Sequence, residues 1–351
     1  GYREKGPDYS RANTRRFQTW LREKYCDQHS LRASWRRPEI SFAAAEIPQP
    51  APGRFPMRNL TDPRTDVFYH PETQRDWIDF SEYCSDLMAS KVMRWARIVK
   101  QVTGGRKLTV AFYGYTFSLP GSFSGHLALR KVLQCKDIDV LCAPYAYNDR
   151  APGGTANFMS PVDSVVLHRK LWINEDDART HLMDPDIVNK SRASLLKVGL
   201  PQNLQQTLGA LDRNLAAVNA HGAGIWWMDL TAAGAFNAPE IWRQVKRRTP
   251  LFEPESPQSQ MAPEVLVLVD EASKRHVGAD YSFNRNNLWQ VRDAALRSGT
   301  TIGYYQLDDY LAGAAPKTAM VIFPNAFRLS DAQIETLHER LEKDQNAAVW
   351  V

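Results

Sequence analysis

The stretch VVLHRKLWINEDD, residues 165–177, decides how the rest of the chain is read. Val165 to Asn174 contains a β-branched and aromatic run of the kind that forms a buried strand. Directly after its apolar Leu171-Trp172-Ile173 come Asn174 and three consecutive carboxylates, Glu175, Asp176 and Asp177. Burying a carboxylate at a strand end costs several kcal/mol unless the group is paired or used. Arg179 and His181 lie close enough in sequence to pair Asp176 or Asp177, and continuation of the strand leaves Glu175 as the carboxylate aimed at a pocket. On spacing alone a second reading stands beside this one, an acidic loop that caps the following helix.

Working outward, the same alternation recurs. Lys107–Tyr115 (KLTVAFYGY) and Ile138–Tyr147 (IDVLCAPYAY) read as strands, with a helix around His126–Leu133 between them. Beyond the acidic run, a helix over Leu204–Ala220 leads through Gly222 and Gly224 into a strand at Ile225–Leu230, and a helix follows over Pro239–Arg247. Strands alternating with helices predict parallel β/α units. Four of them make the second half of a (β/α)8 TIM barrel, an α/β fold.

Upstream, Asp8–Tyr25 has Phe17, Trp20 and Leu21 at helical spacing, with Asp8 or Ser10 as its cap. Residues 36–70 read as an irregular excursion rich in Pro and Arg. A helix is predicted from Pro71 to Val102, with an apolar stripe through Trp77, Phe80, Tyr83, Leu87 and Trp95 and an end at Gly104-Gly105. Downstream, residues 249–263 hold four prolines and read as a linker. The pattern then restarts: strands at Glu264–Asp270, Thr301–Tyr305, Ala319–Phe323 and Ala347–Val351, helices at Asn287–Ser298 and Ser330–Lys343. The predicted domains are therefore 1–248, the linker 249–263, and an open flavodoxin-like α/β layer over 264–351.

The chain has 351 residues, a hydrophobic fraction of 43% and a charged fraction of 24%, within the range of globular proteins. Its net charge is +5 and no run of five like charges occurs, so a nucleic-acid partner is not expected. No stretch approaches the roughly 20 apolar residues of a membrane span. No GxGxxG or Walker motif opens the second layer, so no nucleotide cofactor is expected. The four cysteines, Cys26, Cys84, Cys135 and Cys142, lack metal-ligand spacing and read as buried free thiols, with one disulfide still open. Ten Trp, thirteen Tyr and fourteen Phe suit a cleft that stacks sugar rings, and equally a large barrel core. The chain begins at Gly1 without Met and stops within an apolar run, as a piece of a longer protein would.

In a β/α barrel the working groups stand at the C-terminal ends of strands. Four strand ends qualify: Tyr113–Tyr115, Pro144–Tyr147, Asn174–Asp177 and Trp226–Asp229. Strand alternation puts either Trp227 or Trp226 inward as a sugar floor, with Asp229 on the same face as Trp227. Tyr115 and Tyr145 are candidates to line the cleft or hydrogen-bond the nucleophile, and Asp177, Arg179, Trp227 and Asp229 complete the expected substrate-binding set.

The segment HRKLWINEDDARTHL (168–182) resembles the seventh-strand region of family 42 glycoside hydrolases, the β-galactosidase-type branch. WLREKY (20–25), Trp35, PYAYNDRAPGGT (144–155) and GIWWMDL (224–230) carry the same resemblance, which runs through most of the chain. Residues 264–351 resemble that family's trimerisation domain, whose fold is like class I glutamine amidotransferases. The resemblance implies a retaining hydrolase of β-galactosides or related β-linked sugars, with two carboxylic acids about 5–5.5 Å apart. Glu175 matches the nucleophile. The acid/base Glu of strand four falls upstream of Gly1. The nearby Glu4 sits in a polar stretch with no strand before it. A homotrimer acting on a glycoside or oligosaccharide, without metal or cofactor, is implied. No Cys follows Cys142, which leaves assembly rather than amidotransferase chemistry for the second layer. The alternative is a non-catalytic carbohydrate-binding or scaffold protein on a degenerate barrel.

Overall fold

A computed structural model describes residues 8–49, 67–118, 122–183, 200–230, 232, 234–253, 261–278, 283 and 285–351. Glu4 and residues 50–66 of the Pro/Arg-rich excursion lie outside the described residues, as do residues 254–260 of the linker.

Helix α1 spans Arg11–Tyr25 and is capped by Ser10, whose hydroxyl accepts from the Asn13 amide. A short α2, Gln28–Trp35, follows on an Asp27 cap and was not anticipated from the sequence. The long α3, Arg75–Thr103, starts a turn later than expected and ends at Gly104, whose φ of 59° suits a residue without Cβ. Phe17, Leu21, Leu31, Trp35, Phe80 and Tyr83 from these three helices form one apolar cluster.

The next strands are β1 (Val110–Phe112), β2 (Val140–Pro144), β3 (Leu171–Asp176) and β4 (Gly224–Trp227). They pair in sequential order, all parallel. Helices α4 (Leu129–Leu133), α5 (Val162–Leu167), α6 (Leu204–Ala220) and α7 (Pro239–Arg248) complete this half. The strand expected within Val165–Asn174 is found from Leu171 to Asp176, while Val165–Leu167 belong to α5. The β-branched pair there had masked a one-and-a-half-turn helix.

One face of this sheet packs on helices. The other leaves Val110, Phe112, Leu171 and Trp226 exposed, at 53, 41, 43 and 43%. Phe112 and Trp226 come from the two edge strands, yet their ring centroids are 6.1 Å apart, so the sheet curls over that face. This is the curvature and strand order of part of a β/α barrel.

The second sheet comprises β5 (Val265–Val269), β6 (Ile302–Gln306), β7 (Met320–Phe323) and β8 (Ala347–Trp350), parallel and in the order β6-β5-β7-β8. That is the second-first-third-fourth order of doubly wound flavodoxin-like sheets. Its helices are α8 (Glu271–Lys274), α9 (Val291–Arg297), α10 (Leu307–Leu311) and α11 (Asp331–Asp344). Ser330 and Gln333 form a reciprocal capping box at α11. The two sheets are closely joined through α5. The Tyr304 amide donates to Asp163 (2.6 Å), the Gln306 amide to Ser164 (2.7 Å), and His168 meets Asp309 (2.8 Å). Val165 and Trp172 of the first layer share an apolar cluster with Val267 and Tyr304 of the second. All four cysteines are free thiols, and Cys26 is exposed rather than buried because it ends α1 at the surface.

Candidate active site

Strand alternation sorts the acidic run. Along β3, Leu171, Ile173 and Glu175 lie on the curled face, whereas Trp172, Asn174 and Asp176 are buried against the helices. Glu175 pairs in register with Pro144 on one side and Trp226 on the other, so an indole stands next to the carboxylate on the same face. Partial burial raises the pKa of Glu175; the negative charge of Asp177 raises it further and Arg150 pulls it back. The Cys142 thiol, also on this face, is pushed up to about 12 by burial and by the charge of Glu175.

Asp177 is not offered to solvent. Its carboxylate takes Arg150 Nη1 at 2.5 Å and the Tyr147 hydroxyl at 2.9 Å, and its side chain is 1% exposed. The Arg150 guanidinium also lies 4.3 Å from the Tyr147 ring centroid and donates to the carbonyl of Ala146. A residue from the β2–α5 loop, Arg150, makes the direct ion pair with Asp177, and Arg179 also feels the Asp177 charge; the pairing expected for His181 is corrected. His181 instead meets Thr207 at 2.9 Å. Arg179 is buried close by, its pKa lowered to about 10 by burial and by the neighbouring Arg150. Asp176 accepts twice from the Asn214 amide, at 3.0 and 3.1 Å, and complete burial raises its pKa to about 6.

Three further expectations, those for Trp227, Tyr145 and Tyr115, need correcting. Trp227 points into the helical layer, its ring 6.0 Å from Trp242, and Trp226 takes the inward position. Asp229 closes its own loop by accepting from the amides of Gly234 (2.7 Å) and Ala235 (3.0 Å). Tyr145 is buried with its hydroxyl donated to the Asn214 carbonyl at 2.5 Å. Tyr115 is buried with its ring 4.6 Å from His126. The structure therefore brings together Glu175, Asp177 and Arg179 from the expected set with Trp226, the second of the two indoles considered, and adds Tyr147, Arg150 and Phe112. Arg150 carried no local signal, because its partner is 27 residues away. Among the described residues no group of three His, Cys, Asp or Glu side chains could hold a metal ion.

No family model matches this chain, and no curated protein sequence matches it. Solved structures do. The crystal structure of a β-galactosidase from the psychrophilic Marinomonas ef1 aligns with a TM-score of 0.59 at 15% identity, over 98% of this chain and 52% of that one. A polyextremophilic β-galactosidase from the Antarctic haloarchaeon Halorubrum lacusprofundi aligns at 0.54 and 13% identity, over 97% of this chain and 50% of that one. The relationship is β-galactosidase-like and, at these identities, one of fold. The chain spans about half the length of those proteins.

Proposed function

We propose that this chain carries the nucleophile half of a retaining glycosidase that acts on β-galactosides or related β-linked sugars, with Glu175 as nucleophile. One observation carries the reading: Glu175 stands at the C-terminal end of a parallel strand, on the curled face, beside the exposed Trp226. A carboxylate placed there attacks the anomeric carbon and forms a glycosyl-enzyme, which water then releases. The indole offers a flat apolar surface to the sugar's C–H face. Tyr147 and Arg150 engage Asp177, which keeps that second charge from competing for the same position. In this reading the acid/base carboxylic acid comes from barrel strands outside residues 1–351, and the intact assembly is a homotrimer.

The fold relatives support a glycosidase at the coarse level. A carbohydrate-binding role without catalysis is favoured by a different observation. The two carboxylates adjoining Glu175 are both engaged, Asp176 by Asn214 and Asp177 by Arg150, so neither serves as its acid/base partner. The deciding experiment places Glu175→Gln in a protein extended to complete the barrel and measures hydrolysis of an aryl β-galactoside. Turnover is expected to fall by orders of magnitude, with a 2-fluoro glycoside labelling the parent's peptide that contains residue 175. Near-normal turnover in the variant rejects the assignment.

A further inference from the structure

The loop between β2 and α5 faces two ways. Its stem is closed by a bridge between Tyr145 and Phe158 and by the Ala146 amide donating to the Asn157 carbonyl at 2.7 Å. On one side Tyr147 and Arg150 reach Asp177, next to Glu175. The two residues between them turn the other way, toward α9 of the second layer. Asn148 donates to Asp293 at 2.5 Å, and the Asp149 carboxylate receives Arg297 at 2.8 Å. Arg292 grips both ends of the loop, donating to the Phe158 carbonyl at 2.7 Å and to the Asn148 side-chain oxygen at 3.3 Å. It is 0% exposed. A buried guanidinium is costly unless its donors are met, so its place at the loop base is specific.

Other elements hold other parts of this loop. Arg213 of α6 donates to the carbonyls of Ala151 and Gly154, and Asp149 accepts from Thr155. These fasten mainly the far side, residues 151–155, and Arg213 also reaches the Arg150 carbonyl at 3.4 Å. The contacts with α9 fall on Asn148 and Asp149, which lie between the two residues that meet Asp177, and on Phe158 at the loop base.

We propose that helix α9 of the second layer is a positioning element for Glu175, acting through Asn148 and Asp149 to hold Arg150 and Tyr147 against Asp177. The second layer then shapes the first layer's site as well as any assembly. The inference rests on Glu175 being the working carboxylate, but its test does not require turnover. The charged and titratable groups around Glu175 are Asp177, Arg150, Cys142 and Tyr147. Loosening α9 frees Arg150 from Asp177, and the uncompensated charge of Asp177 then disfavours ionisation of Glu175.

The test uses residues 1–351 with 13C-labelled glutamate carboxyl groups, the Glu175 resonance being assigned by its loss in Glu175→Gln. Asn148→Ala/Arg297→Ala is expected to titrate Glu175 at higher pH than the parent, while Arg297→Lys stays with the parent. In an Asp177→Asn background the double change is expected to leave the midpoint where it was. A double variant whose curve superimposes on the parent's overturns the proposal, as does a shift that persists undiminished without the Asp177 charge. If the double variant loses its native circular dichroism, Arg297→Ala alone, at an exposed pair, is read by the same criteria. Should Glu175→Gln retain full turnover in the complete barrel, the nucleophile assignment fails while this coupling is still measured.

Discussion

Replacing Asp176 by Asn should stabilise the protein at neutral pH, although it removes a fully buried, hydrogen-bonded side chain. Asp176 is enclosed on the helical side of β3, with the Asn214 amide as its hydrogen-bond donor, and burial raises its pKa from 3.8 to about 6. That displacement corresponds to about 3 kcal/mol, at ~1.4 kcal/mol per tenfold change in proton affinity. A raised pKa means the folded state holds its proton more tightly than the unfolded chain. The associated stability is therefore complete below pH 3.8 and is lost as pH rises toward about 6. Asn keeps the shape and carries no charge, at the loss of one hydrogen bond worth about 1–1.5 kcal/mol. The net expectation is a gain of about 1–2 kcal/mol at pH 7 and a small loss at pH 4. Urea unfolding of both proteins at the two pH values measures it directly. Glu175→Gln, one residue earlier on the opposite face and partly open to solvent, should change stability by less than about 1 kcal/mol at either pH. If Asp176→Asn is destabilised equally at pH 4 and pH 7, the assignment of these two carboxylates to opposite faces is wrong.

Asp79 gathers four donors on a fully buried carboxylate: Lys24 at 3.0 Å, Arg75 at 2.9 Å, Tyr25 at 2.6 Å and Trp35 at 2.7 Å. Because both cations are partly solvated, Asp79→Asn should cost about 3 kcal/mol, at the lower end for a broken buried pair, read as a lower urea midpoint. By contrast Asp76→Asn, whose partner Arg37 is exposed, should cost less than about 1 kcal/mol. Gly154→Ala would set a Cβ 2.2 Å from the Asp149 carbonyl oxygen. The loop must open to admit it, so faster amide exchange over residues 146–157 and a loss exceeding about 1 kcal/mol are expected. Unchanged exchange there would show that the turn is not tight.

Much of the architecture was open to reading because it is written in local chemistry. The helix at Leu204–Ala220 is observed at its predicted bounds, and Ser330 caps α11, since caps and 3.6-residue periodicity involve only near neighbours. The five-residue apolar run of β5 behaves likewise. Short elements escaped: α2 and α5 span eight and six residues, too few for a periodic signal against β-branched or mixed composition.

By itself, then, the amino-acid order determined the succession of strands and helices and singled out Glu175 at the end of an apolar strand. Tertiary structure alone decided which indole stands beside it, Trp226 rather than Trp227, because alternation fixes that two faces exist but not which one the helices cover. It alone matched Arg150 with Asp177 and set Arg292 at the loop base, since an ion pair across 27 residues and a hydrogen bond across 134 depend on where the backbone returns.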